Sequence, residues 1–276
     1  MKITAVALAV LLLAGIVLRT AHSRSHSHLI ISGTPRIDIV VSGHHGFLFK
    51  PAHATKWVWY APTIFGERDH IIFSRSFPGE RQRWLIQHLV DQGIAVAGVD
   101  IGESYGSPTG RAIYQEFYRK LVSGYSLSAK PCLLAQSRGG LMLYLWASEH
   151  PKEVGCLAGI YPVTNLASWP PVDSRNFRDA AKAYGMSMSD FQTERGQFSP
   201  INHLSALAEQ RIPVFELHGD ADTLVPLAVN GEEFLRKYSE LGGDDRLIVV
   251  HGKGHEEVNE FFESPDLLQF LTANPL

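Results

Sequence analysis

The chain has 276 residues, 45% hydrophobic and 19% charged, with 24 glycines, 15 prolines and a formal net charge of -3. This is an ordinary globular composition, long enough for one α/β domain to bury a large core. It holds no basic patch or charge run, which argues against nucleic acid as a partner.

The N-terminus reads as a separate piece. Lys2 is followed by an uncharged apolar run, Ile3 to Leu18, then by Arg19 and small residues at Ala21 and Ser23. A positive start, an apolar run and small residues describe a secretory signal cleaved after Ser23, giving a secreted or envelope protein. The run is shorter than the roughly 20 apolar residues of a membrane span. An uncleaved anchor is the alternative, and a membrane is a partner only in that case. Residues 24–35, "SRSHSHLIISGT", read as a polar linker in which His26 and His28 belong to a solvated tail or to a metal site.

From residue 36 to 276 apolar runs alternate with helical patterns. The expected strands are "RIDIVVSG", "GFLFKPA", "KWVWYAP", "IAVAGVDIG", "KPCLLAQS", "VGCLAGIYP", "IPVFELHGD" and "RLIVVHG". The later ones are near-continuous in Val, Ile, Leu and Ala, as strands buried on both faces of a parallel sheet are. The earlier ones look like an antiparallel lead-in. Helices are expected at "GERQRWLIQHLVDQG", "RAIYQEFYRKLVSG", "RGGLMLYLWASEHP", "NGEEFLRKYSELGG" and "EEVNEFFESPDLLQFL". Gly93, Pro151 and Gly242-Gly243 supply stop signals. The alternation gives a doubly wound α/β fold, a mostly parallel eight-stranded sheet with helices on both faces.

Residues 164–208 break the rhythm and are too long for a plain loop. They read as a small helical lid, with Ser189-x-x-Gln192 as a capping box. Trp169, Tyr184, Met186 and Phe191 either line a pocket there or anchor the insertion to the core. Cys132 and Cys156 lie inside apolar runs and are expected as buried free thiols.

The chemistry centres on "LLAQSRGGLML", Leu133 to Leu143. Ser137 sits where a buried strand meets a buried helix. A serine-hydrolase elbow, G-x-S-x-G, needs a tight turn that exposes the hydroxyl, and small residues where strand and helix approach. Ala135 replaces the first glycine with one added methyl, and Gly139 and Gly140 meet the rest. An acid follows a later strand: Asp220 or Asp222. A base follows the last one: His255 in a Gly-flanked turn, with His251 as rival. The order Ser…Asp…His, each just past a strand, is the specific signal.

With "AQSRGG" at 135–140, "SPINHL" at 199–204, "HGDADTLVP" at 218–226 and "GKGH" at 252–255, the chain resembles the α/β-hydrolases. Within them it is similar to the dienelactone hydrolase and prolyl-oligopeptidase-like esterase branch. The superfamily's acid block, H-G-x-x-D-x-x-V-P, puts the acid at Asp222. The resemblance thus implies nucleophile Ser137, acid Asp222 and base His255. It also implies an oxyanion hole from the backbone N–H of Arg138 and of Thr63, with Ile64 as the alternative to Thr63, because Pro62 has no N–H. Glu103, Ser104 or Tyr105, in the loop after the fourth strand, would touch substrate or build a structural turn.

The implied reaction is carboxylic ester hydrolysis through an acyl-enzyme, without metal or organic cofactor. A serine peptidase is the second reading, weakened by a length too short for that family's propeller domain. A non-catalytic binding scaffold is the third. An exported esterase would take small-molecule or polysaccharide esters. Trp57, Trp59, Trp169 and Tyr184 suit sugar stacking and core packing equally.

Overall fold

Eight strands form a single sheet in this computed structural model, which describes residues 29–65 and 78–274. The signal expected over 1–23 and the first part of the expected linker, with His26 and His28, lie outside the described residues. The strands are β1 (Arg36–Val41), β2 (His44–Phe49), β3 (Trp57–Ala61), β4 (Ala95–Val99), β5 (Cys132–Gln136), β6 (Cys156–Ile160), β7 (Val214–Gly219) and β8 (Asp245–Val250). Their order is β1-β2-β4-β3-β5-β6-β7-β8. β1 and β2 pair antiparallel and β2 meets β4 antiparallel, while the pairs from β4 through β8 are parallel. The antiparallel lead-in and parallel body are those expected. Every residue of β3 to β7 is buried, which is why these strands read as unbroken apolar runs.

Helices cover both faces. α2 (Pro108–Tyr125), α3 (Gly139–Glu149) and α7 (Gly231–Glu240) pack on the side of Trp57, Trp59 and Leu133. α1 (Arg83–Asp91), α8 (Asn259–Phe262) and α9 (Pro265–Ala273) pack on the side of Val58, Tyr60 and Leu134. Trp57 and Trp59 are wholly buried in the first layer, so neither is a surface for sugar. α2 begins three residues earlier than expected: Ser107 caps it and Pro108 takes the first helical position, where its missing N–H costs nothing. The last expected helix is two, because Ser264 and Pro265 start a new one.

The insertion holds α4 (Arg175–Ala183), α5 (Met188–Glu194) and α6 (Ser205–Glu209). α5 is capped by Ser187, whose hydroxyl accepts from Asp190 N–H, and not by the expected Ser189 and Gln192 box. Trp169, Phe177 and Phe191 pack with Tyr105 and Leu141 in a small apolar cluster that fixes the insertion over the start of α3. Of the two roles weighed for its aromatics, anchoring describes Trp169 and Phe191. The described part of the expected linker is also packed: Leu29 and Ile31 are buried in the layer of α1.

The cysteines depart from expectation. Cys132 and Cys156 are register partners on β5 and β6, and they form a disulfide across a Cα separation of 4.4 Å. Direct opposition on adjacent strands brings both sulfurs to one face, which apolar sequence context alone does not reveal. The bond closes a loop of 24 residues, and closure of that length is worth about 3 kcal/mol. Urea unfolding with and without reductant should differ by about that amount, and the oxidised protein, once denatured, should expose no free thiol to a colorimetric reagent.

Candidate active site

Parallel strands end on one edge, so the loops after β3, β4, β5, β7 and β8 converge there. Ser137 follows β5 and turns the chain into α3 with φ of +50°, a left-handed conformation uncommon outside glycine. Its backbone is pinned on both sides: its N–H donates to Ile160 O at 3.0 Å, and its carbonyl accepts from Val163 N–H at 2.8 Å. The turn is tight because α3 starts hard against β3. A Cβ added at Gly139 would lie 2.1 Å from Ala61 O, and one at Gly140 would lie 2.5 Å from Val163 O. Ala135 sits opposite Ala61 and Gly159, where its methyl is accommodated.

Ser137 Oγ–H donates to His255 Nε2 at 2.8 Å, and His255 Nδ1–H donates to Asp222 Oδ2 at 2.7 Å. The structure thus brings together Ser137, Asp222 and His255 as expected from their order. The rivals pair with each other away from the serine: His251 Nδ1 donates to Asp220 at 2.8 Å, and Asp220 also accepts from Gly252 N–H. The acid and base loops touch through Gly219, where a Cβ would lie 2.1 Å from Lys253 O, and through Ala221 N–H, which donates to the same carbonyl at 3.0 Å. Glycine after His218 is therefore needed for the two loops to meet.

Asp222 is buried. Burial alone would raise its carboxyl, but the neighbouring His218, the hydrogen bond from His255 and the Val225 N–H outweigh it and hold the group well below the usual carboxylate range. Its Oδ1 accepts from Leu224 N–H at 2.9 Å and Val225 N–H at 2.8 Å. His255 is backed by Tyr161, whose ring centroid is 4.3 Å away. Tyr161 Oη accepts from Gln136 Nε2 at 3.1 Å, and Gln136 Oε1 accepts from Tyr60 at 2.9 Å. Sequence reasoning missed Tyr161 and His218. His218 opens the acid block itself, and Tyr161 directly follows β6 on the active edge, so position was the available signal.

The N–H of Arg138, at the start of α3, and that of Thr63 donate to no group among the described residues. Thr63 is held by its hydroxyl, which donates to Tyr60 O at 3.3 Å, and by Gly98, where a Cβ would strike that hydroxyl. Phe65 N–H and Gly102 N–H both donate to Asp100, tying this loop to the end of β4. Glu103 binds the Arg138 guanidinium at 2.6 Å, and that guanidinium lies over Trp169. Tyr105 is fully buried, donates to Asn176 and accepts at its carbonyl from Tyr184 Oη. Of the four residues expected at substrate, Glu103 pairs with Arg138 next to Ser137, and Tyr105, Trp169 and Tyr184 hold the insertion in place. "SPINHL" does the same from the other end: Ser199 Oγ accepts from Leu166 N–H, and Ile201 N–H donates to Thr164 O.

The model of the prolyl oligopeptidase family matches residues 81–273. No curated protein matches the chain in sequence. Among solved structures, a puromycin-hydrolyzing peptidase of Mycobacterium tuberculosis is 14% identical, with 86% of this chain and 38% of that chain covered and a TM-score of 0.65. Dipeptidyl peptidase 4 of Porphyromonas gingivalis is 13% identical over 87% of this chain and 35% of that chain, with a TM-score of 0.64. MPT51 of Mycobacterium tuberculosis is 13% identical over 88% of this chain and 99% of that chain, also with a TM-score of 0.64. The chain thus spans under two fifths of these two peptidases and nearly all of MPT51, and all three share its α/β-hydrolase fold.

Two outcomes follow from the packing and charge. Gly139→Ala must push α3 from β3 and should destabilise the fold by about 1–3 kcal/mol, read by urea unfolding, while slowing any reaction at Ser137. Because the folded Asp222 titrates below its unfolded range near pH 4, its stabilisation is complete above that range and is lost as pH falls below it. Asp222→Asn should therefore lose less stability than the wild type on acidification below about pH 4.

Proposed function

The chain belongs to the prolyl oligopeptidase family, and from that premise we propose that it is a serine hydrolase cleaving carboxylic esters through Ser137, His255 and Asp222. The observation that carries this reading is the unbroken line of two hydrogen bonds from Ser137 Oγ through His255 to Asp222. A serine hydroxyl is a weak nucleophile at neutral pH. His255 Nε2 takes its proton as Oγ attacks the acyl carbonyl, and Asp222 keeps the Nδ1–H tautomer and steadies the imidazolium. The oxyanion is received by the N–H groups of Arg138 and Thr63, which have no other partner among the described residues. His255 then gives its proton to the leaving alkoxide, and water repeats the sequence on the acyl-enzyme. The Glu103–Arg138 pair would form a polar wall beside the acyl group.

Ester cleavage asks least of this machinery, since an alkoxide leaves more readily than an amine. A serine peptidase is the second reading, favoured by the family match itself and by the peptidases among the similar folds. A broad fluorophosphonate should label the protein, and Ser137→Ala should abolish labelling and reduce turnover by at least about 10⁴-fold. Labelling that persists in the variant would remove Ser137 from its role. Turnover of short p-nitrophenyl esters should exceed that of aminoacyl anilides, and the reverse would favour the peptidase.

A further inference from the structure

β7 carries two polar side chains into the core. Phe215 and Leu217 pack in the layer of α1 and α9, whereas Glu216 and His218 point to the side of α7, and both are fully buried. Neither is explained by the triad. A Cβ added at Gly231, the first residue of α7, would lie 2.9 Å from Glu216 Oε2 and equally 2.9 Å from His218 Nδ1. The two atoms therefore stand against the same glycine, where no larger side chain fits. Glu216 Oε1 and Oε2, His218 Nδ1 and the buried hydroxyls of Tyr144 and Thr164 make no hydrogen bond of ordinary length among the described residues, although the Tyr144 hydroxyl lies near enough to act on the Glu216 carboxyl. Such a group of orphaned atoms is costly unless something joins them.

The other side of His218 is fully specified. Its Nε2 is 2.8 Å from Val225 O, which can only accept, so Nε2 carries a hydrogen. The same nitrogen is 3.6 Å from Asp222 Oδ2. Val225 in turn donates its N–H to Asp222 Oδ1. His218 thereby clamps the loop that presents the acid to His255. A neutral imidazole with hydrogen on Nε2 has a lone pair on Nδ1, and Nδ1 stands against Gly231 as Glu216 Oε2 does.

We propose that Glu216 is a positioning residue for the triad: its carboxyl O–H, through one buried water above Gly231, supplies the hydrogen that His218 Nδ1 accepts. That contact fixes His218 in the tautomer that holds the Asp222 loop. The groups facing Glu216 agree with a protonated acid. Burial pushes its carboxyl well up, the Tyr144 hydroxyl of α3 opposes this only in part, and Asp245 of β8 adds to it. A water in a polar space of this kind needs two to four partners, and Glu216 and His218 supply two. A continuous polar line then runs from Glu216 through His218 and the Val225–Asp222 loop to His255 and Ser137. The inference rests on the triad acting as proposed above.

The test uses the full chain with ¹⁵N-labelled histidine and three forms: wild type, Glu216→Gln and Glu216→Leu. His218 of the wild type should show a ring with hydrogen on Nε2 and none on Nδ1. Glu216→Gln keeps a donor of the same shape and should retain both that signature and the fluorophosphonate labelling rate within about threefold. Glu216→Leu should lose the fixed tautomer and label on the order of tenfold more slowly, with the His255 Nδ1 proton signal broadened. A doubly protonated or Nδ1–H His218 in the wild type overturns the proposal, as does a Leu variant that behaves like wild type or a Gln variant as slow as Leu. If Glu216→Leu does not fold, the wild-type tautomer and the Gln variant decide. If the wild type is not labelled at all, the triad reading fails, while the His218 tautomer still reports on Glu216 by itself.

Discussion

The turn at Ser137 is the constraint on which the rest of the site depends. A non-glycine residue in the left-handed region costs about 1–2 kcal/mol, and here it is held by backbone hydrogen bonds to Ile160 and Val163 on the neighbouring strand end. The turn also requires backbone to approach backbone, with Gly139 over Ala61 O and Gly140 over Val163 O. The same approach brings the Arg138 N–H to the sheet edge beside the Thr63 loop. The turn at Ser137 and the placing of the Arg138 N–H are thus consequences of a single steric fit between α3 and the ends of β3 and β6.

The base side is held differently. The acid and base loops are joined by the close contact of Gly219 with Lys253 and by the Ala221–Lys253 hydrogen bond. Asp222 spends one oxygen on two backbone N–H groups and the other on His255. A carboxylate so satisfied stays ionised despite burial, which lets it orient the imidazole without competing for its proton. The Tyr161 ring packs against His255, so the imidazole is fixed by a hydrogen bond to Asp222 at one nitrogen and a ring contact.

Much of this could be read from residue order. The buried parallel strands betray themselves because burial on both faces removes alternation, and Ser137, Asp222 and His255 each follow a strand of the sheet. What escaped was information about pairs. That Cys132 faces Cys156 depends on strand register, which two similar apolar runs do not encode. The roles of Tyr105, Trp169 and Tyr184 depended on which way the insertion folds back, and aromatic composition suits a pocket and an anchor alike. The division of the last helix was available in Ser264-Pro265, since serine followed by proline is a helix start as readily as an interruption. Glu216 stood in plain view inside "VFELHG", yet a carboxyl amid a buried strand gains meaning only when its neighbours are known to be unpartnered.

The two halves of the site therefore tolerate change unequally. On the nucleophile side the determinants are absent atoms: no side chain at 139 or 140 can be larger than hydrogen without moving α3. On the acid side Gly219 obeys the same steric rule, but the other determinants are paired atoms, and a polar substitution that preserves the pattern of donors and acceptors can preserve the geometry. Steric fits fail all at once, because backbone cannot yield by rotating a bond, whereas hydrogen-bonded supports weaken in steps of roughly 1 kcal/mol each. Tuning by substitution without loss of the fold is accordingly open on the side of β7 and β8, where His218, Asp222 and His255 meet, and closed at the elbow.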